Sequence, residues 1–127
     1  MPRTFFLIGS LVAFLGVAGG AFGAHSLKAM LPAEQVIVFE TAVRYQMYHA
    51  FALFIAGWAS QQYQHVALRV AGWLFVLGIV LFSGSLYILA FSGPRWLGAL
   101  TPLGGLAFLA GWALLGWGCW NSRWANT

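Results

Sequence analysis

Residues 19–50 read GGAFGAHSLKAMLPAEQVIVFETAVRYQMYHA, and this stretch gathers most of the chain's polar chemistry. It holds both acids, Glu34 and Glu40, two of the three histidines, His25 and His49, and also Lys28 and Arg44. It is set among uncharged runs: Thr4 to Leu27, Tyr45 to Leu68, Val70 to Pro94 and Trp96 to Ser122. Each run is longer than the roughly 20 apolar residues that span a bilayer. Backbone groups inside lipid must satisfy one another, so the runs form helices or a closed barrel. They are built of Leu, Ala, Gly and Phe without strict alternation, which selects helices.

Composition agrees. Of 127 residues, 61% are hydrophobic and 6% charged, and the mean hydropathy is +0.83. Soluble domains carry about 25% charged residues, so a water-soluble fold is excluded. The reading is an all-α, polytopic transmembrane bundle of four helices with short connectors. Residues 1–127 form one transmembrane domain, with spans near 4–24, 42–60, 67–91 and 102–120. The net charge of +4 suits contact with the lipid bilayer and its anionic headgroups. The six basic residues are scattered singly, which gives no nucleic-acid footprint. Cys119 is alone, so no intrachain disulfide forms; it reads as a small core residue near the end of the last helix.

The first span, 4–24, follows a short basic start and also fits a secretory signal peptide. The run is long for one, and a retained span is the expectation. Gly16 with Gly20, and Gly19 with Gly23, are small-xxx-small pairs that admit a neighbouring helix. His25 to Leu31 reads as a connector, with Pro32 at the first helical position. No glycine or proline falls between Ala33 and Ala56, so one helix is expected from about Pro32 to about Ser60. Its first turns, with Glu34 and Glu40, should lie among headgroups. Gln61 to His65 is a polar turn, and Arg69 and Trp73 anchor the third span. Ser92 to Leu100 is a second connector, and Thr101-Pro102 reads as an N-cap and first turn. Trp117, Trp120 and Trp124 form an aromatic belt at the exit of the last span. FIAGW (54–58) and FLAGW (108–112) read equally as a duplicated helix pair or as coincidence in a restricted alphabet.

Four spans put both termini on one side, side A, and the connectors 25–32 and 92–101 on side B. Polar residues of all four helices then gather in the side B half: His25 and Ser26, then Glu40, Thr41, Arg44, Tyr45, Gln46, Tyr48 and His49, then Ser83, Ser85 and Tyr87, then Thr101. Nine of them, His25, Glu40, Arg44, Tyr45, Tyr48, His49, Ser83, Ser85 and Tyr87, are the candidate lining of a polar pocket opening to side B. Glu40 and Arg44 stand four apart, the spacing of an ion pair, and Tyr48 continues their stripe. Ionisable groups at the depth of His49 face the bundle interior or water. The plainer reading is that Arg44 snorkels to headgroups and that His49, Tyr48 and the serines hold helices together. Two histidines without cysteines or a spaced carboxylate are a weak metal or haem signal. No catalytic residues, metal site or cofactor are expected. Arg3, Arg69 and Arg123 on side A balance Lys28, Arg44 and Arg95 on side B; setting Arg44 aside puts the termini in the cytoplasm.

GAFGAH (20–25), ETAVRYQMYHA (40–50), LFSGSLY (81–87) and TPLGGLAFLAGW (101–112), in that order, resemble the small membrane-protein family called domain of unknown function 423, related to transmembrane protein 256. The resemblance covers essentially the whole chain. It implies a four-helix protein of the bacterial inner membrane, or of an organellar membrane in eukaryotic members, and it implies no activity. Small size, glycine-rich faces and the lack of a complete catalytic set make the expected role structural: a non-enzymatic accessory or interaction protein of a membrane complex, with other membrane subunits or a second copy as partner. The alternative is a binder or carrier of a small ligand or ion near Glu40, Arg44, Tyr48 and His49.

Overall fold

A computed structural model describes residues 2–123. Four long helices follow one another: α1 (Pro2–Met30), α2 (Ala33–Gln62), α3 (Val66–Ala90) and α4 (Arg95–Asn121). They run up and down, so Pro2, the 62–66 turn and Asn121 share one end, side A. The turns after Met30 and Ala90 share the other, side B. Trp124 of the expected belt lies outside the described residues; Trp117 and Trp120 stand exposed near the end of α4.

The all-helical expectation holds, but the count of apolar spans is corrected. Three helices, α1, α3 and α4, are long and apolar enough to cross a membrane. Helix α2 is long enough, yet its central turns carry Arg44, Gln46 and His49. Gln46 and His49 are buried where α1 and α3 flank the helix, whereas Arg44 is exposed. As the missing breakers imply, α2 is continuous from Ala33 through the acidic turns to Gln62, about 45 Å.

Three local expectations are also corrected. His25 to Leu31 is no connector: α1 passes through a wide π-helical turn at Gly23–Leu27 and continues to Met30. It stops where Leu31 turns extended (φ −120°, ψ 151°), because the ring of Pro32 disfavours helical backbone in the residue before it. Pro32 is accordingly the cap of α2, not its first helical residue. Thr101 is not an N-cap, since α4 has already begun with a 3-10 turn at Arg95–Ala99. A second π-helical turn interrupts α3 at Ile79–Ser83.

Side B is closed by Ser92, the one non-glycine residue with positive φ (64°) among those described. There the amide of Gly93 donates to the carbonyl of Ile88 at 3.0 Å, a Schellman-type ending. A left-handed serine is unfavourable, and its hydroxyl is held by Gln35 Nε2 at 3.1 Å. That bond ties the start of α2 to the end of α3.

The helices pack as two hairpins joined through α2 and α3. Phe5, Leu53, Leu68 and Phe75 are fully buried in the main core. The FIAGW and FLAGW echo has a structural counterpart. A methyl on Gly9 of α1 would meet Phe54, and one on Gly57 would meet Phe6. Equally, a methyl on Gly78 of α3 would meet Phe108, and one on Gly111 would meet Phe75. Each hairpin is thus locked by two reciprocal Phe-x-x-Gly segments: 6–9 with 54–57, and 75–78 with 108–111. The shared contact favours the duplication reading over coincidence.

Candidate functional site

Helices α2 and α4 are not closely packed against each other. Side chains bridge the space between them, and a groove of about 820 Å³ remains. Tyr45, Tyr48 and His49 of α2 form one wall, Pro102, Gly105, Leu106, Leu109 and Trp112 of α4 the other, with Phe82 and Phe108 between. Such a volume lies in the range of small-molecule sites. No charged residue lines it.

Helical spacing builds the α2 wall: Tyr45, Tyr48 and His49 are three and four apart and share a face. On α4, Gly105, Leu109 and Trp112 do the same. Gly105 leaves the groove open, because a methyl there would come no nearer than 4.0 Å to Phe82. The wide turn at Ile79–Ser83 brings Phe82 between the two walls, where its ring lies 4.7 Å from that of Tyr45.

His49 is the fixed point. Its Nδ1 donates to the carbonyl of Tyr45 at 2.7 Å, and its Nε2 accepts from Trp112 Nε1 at 3.1 Å. The ring is therefore the neutral tautomer protonated on Nδ1. It stacks on Phe108, with centroids 3.5 Å apart and planes 8° from parallel. Tyr48 is 53% exposed and Tyr45 37%, and neither hydroxyl has a hydrogen-bond partner among the described residues.

The nine residues expected to share one polar pocket are divided by the structure. Tyr45, Tyr48 and His49 line the groove. Tyr87 donates to Gln46 Oε1, while Gln46 Nε2 donates to the carbonyl of Val12 at 2.8 Å; this chain joins α3, α2 and α1 inside the bundle. Ser83 donates to the carbonyl of Ala42 at 2.8 Å. Ser85 bonds Thr101 at 2.6 Å and the carbonyl of Phe82 at 3.0 Å, joining α3 to α4. His25 is exposed on the first π-helical turn, away from the others.

The expected pairing of Glu40 with Arg44 is corrected. Neither makes an ion pair or hydrogen bond among the described residues. Arg44 is exposed and Glu40 half-exposed, and Glu40 lines a shallow hollow with Lys28. At an exposed surface the pair gains too little to hold two long side chains in one geometry. His49, read as glue between helices together with Tyr48 and the serines, bonds Trp112 of α4 and neither Ser83, Ser85 nor His25. Phe108 and Trp112 are the site residues that residue type did not single out, and Gln46, named among the polar residues of side B, was left out of the nine. The signals were the FLAGW echo and an amide in the middle of an apolar run. No three of His, Cys, Asp and Glu stand close enough to hold a metal among the described residues.

Comparison with known proteins places this chain in a family. The family described as "Protein of unknown function (DUF423)" matches residues 19–105. UPF0382 membrane protein SH2409 of Staphylococcus haemolyticus is 49% identical over 113 residues, 89% of this chain and 92% of its own length. UPF0382 membrane protein YwdK of Bacillus subtilis is 44% identical over 114 residues, 89% and 93% of the two chains. No solved structure matches.

Proposed function

This chain belongs to the DUF423 family, whose relatives are named as membrane proteins, and we propose that it binds an uncharged, lipid-like amphiphile in the groove between α2 and α4. In this reading all four helices cross the bilayer. Helix α2 crosses as the inner helix, with Gln46 and His49 buried among its neighbours and the exposed Arg44 reaching toward headgroups. Helical spans rather than a barrel suit a bacterial plasma membrane, and the relatives come from bacteria.

The carrying observation is the groove itself: an aromatic-walled space with two tyrosine hydroxyls that have no partner among the described residues. Ring faces on both walls suit a flat, unsaturated group. A hydroxyl at membrane depth without a partner is costly, and a carbonyl or hydroxyl on the ligand would accept from Tyr45 or Tyr48. The lack of charge in the lining selects a neutral head over an ionic one. Binding, not catalysis, is the role assigned.

Native mass spectrometry of gently extracted protein tests this. The wild type should retain a hydrophobic small molecule, and Gly105→Phe, which fills the groove, should lose it. Equal retention in both would overturn the proposal. An accessory role is the second reading, supported by the outer face of α1, where Ser10, Ala13 and Ala18 leave a shallow hollow of about 550 Å³ beside Phe14 and Phe54. Small residues there admit a partner helix, and a retained protein subunit in the same experiment would favour it.

A further inference from the structure

The two ends of the bundle differ in their charge balance. Both acids, Glu34 and Glu40, lie toward the side B end of α2. Side A carries Arg3, Arg69 and Arg123 and no acid among the described residues. Glu40 is 22 residues from the side A end of α2, about 33 Å along the helix. That is several Debye lengths at physiological salt, so the arginines of side A have no counter-charge within the described chain.

One of them lines a cavity. A space of about 380 Å³ at side A is bounded in part by Ser60, Gln64, His65 and Arg69. Arg69 has no ion pair or hydrogen bond among the described residues. His65 Nδ1 accepts the amide of Ala67 at 3.1 Å, so the proton of its neutral ring sits on Nε2 as a further donor. The ring is held edge-on to Trp117, with centroids 4.8 Å apart. Ser60 spends its own proton on the carbonyl of Ala56 at 2.7 Å. Arg69, His65 and the side-chain amide of Gln64 therefore bring donor groups to the lining of one cavity, at the side A end of the bundle.

We infer that this cavity binds the phosphate of an anionic phospholipid, separately from the groove between α2 and α4. Guanidinium recognises phosphate oxygens through charge-assisted bonds. A zwitterionic lipid offers the same phosphate, but its ammonium finds no acidic side chain among the described residues of side A. The charge balance therefore selects a net anionic headgroup, such as phosphatidylglycerol.

The test uses the full chain in detergent micelles doped with phosphatidylglycerol, with phosphatidylcholine, or supplied with inorganic phosphate, read by thermal unfolding and native mass spectrometry. Phosphatidylglycerol should be retained and should raise the unfolding temperature. Arg69→Gln should weaken that binding about tenfold or more, Arg69→Lys less, and Arg95→Gln on side B not at all. Gln64→Glu, which adds a carboxylate to the cavity, should weaken it as well. Each variant should unfold like the wild type in phosphatidylcholine. Undiminished phosphatidylglycerol binding by both Arg69→Gln and Gln64→Glu would overturn the inference, as would equal retention of phosphatidylcholine. Equal protection by millimolar inorganic phosphate would identify a free anion as the ligand and overturn the lipid assignment.

Discussion

Trp112 donates its indole N–H to Nε2 of His49 at 3.1 Å, and this bond bridges α4 and α2 across the groove between them. Trp112→Phe keeps an aromatic wall and removes the donor. Interhelical hydrogen bonds in membranes contribute about 0.6 kcal/mol on average and up to about 1.7. The variant should lose an amount in that range in detergent unfolding. A double-mutant cycle with His49→Phe should show coupling of similar size; additive losses would mean that the bond contributes nothing.

Gln46 is the buried junction between Tyr87 and the carbonyl of Val12. Tyr87→Phe leaves the Gln46 carbonyl oxygen unpaired, which costs about 1–3 kcal/mol. Replacing both partners, as Gln46→Leu with Tyr87→Phe, removes the polar groups together and should recover much of the loss. Unfolding of the two singles and the double measures this. A double variant as unstable as the sum of its singles would show the site to be limited by shape rather than polarity.

Glycines in the same fold should differ sharply on substitution. Gly104→Ala drives a methyl into the backbone of Phe82, which has no rotamer to yield, so α3 and α4 must part at about 2–3 kcal/mol. Gly16→Ala meets the thioether of Met47, a flexible chain that moves aside, at under about 1 kcal/mol. Gly84→Ala meets nothing within 4 Å and should be neutral or stabilising by up to about 1 kcal/mol, through helix propensity. The measurement is the ranking of midpoints in one detergent series; a Gly104→Ala midpoint at or above that of Gly84→Ala would contradict the packing.

Glu40→Gln and Arg44→Gln should be additive within about 0.5 kcal/mol, because the structure leaves the two side chains unpaired. Coupling above about 1 kcal/mol in the same unfolding assay would show that the ion pair forms in the detergent-bound protein.

The sequence by itself determined the class, the helical character and the continuity of α2, because these follow from properties summed over many residues. Long uncharged runs must be helical in lipid whatever they touch, and Ala33 to Ala56 contains no residue that breaks a helix. The echo of FIAGW in FLAGW was visible too, but two matching pentapeptides do not say what they contact. The reciprocal Phe-x-x-Gly locks give them that content.

Only the tertiary structure decided which polar residues meet. Spacing of four placed Glu40 beside Arg44 in sequence terms, yet at an exposed turn water and headgroups compete with the pair. His49 and Trp112 are 63 positions apart, and no helical period relates them. The π-helical turns at Gly23–Leu27 and Ile79–Ser83 add a further reason. Each widens one turn and changes the facing of the residues beyond it, so a stripe drawn at 3.6 residues per turn loses its register there. Residue types fixed that polar groups had to find partners within a bundle; the relative rotation and separation of the helices fixed which partners, and left a groove where α2 and α4 stand apart.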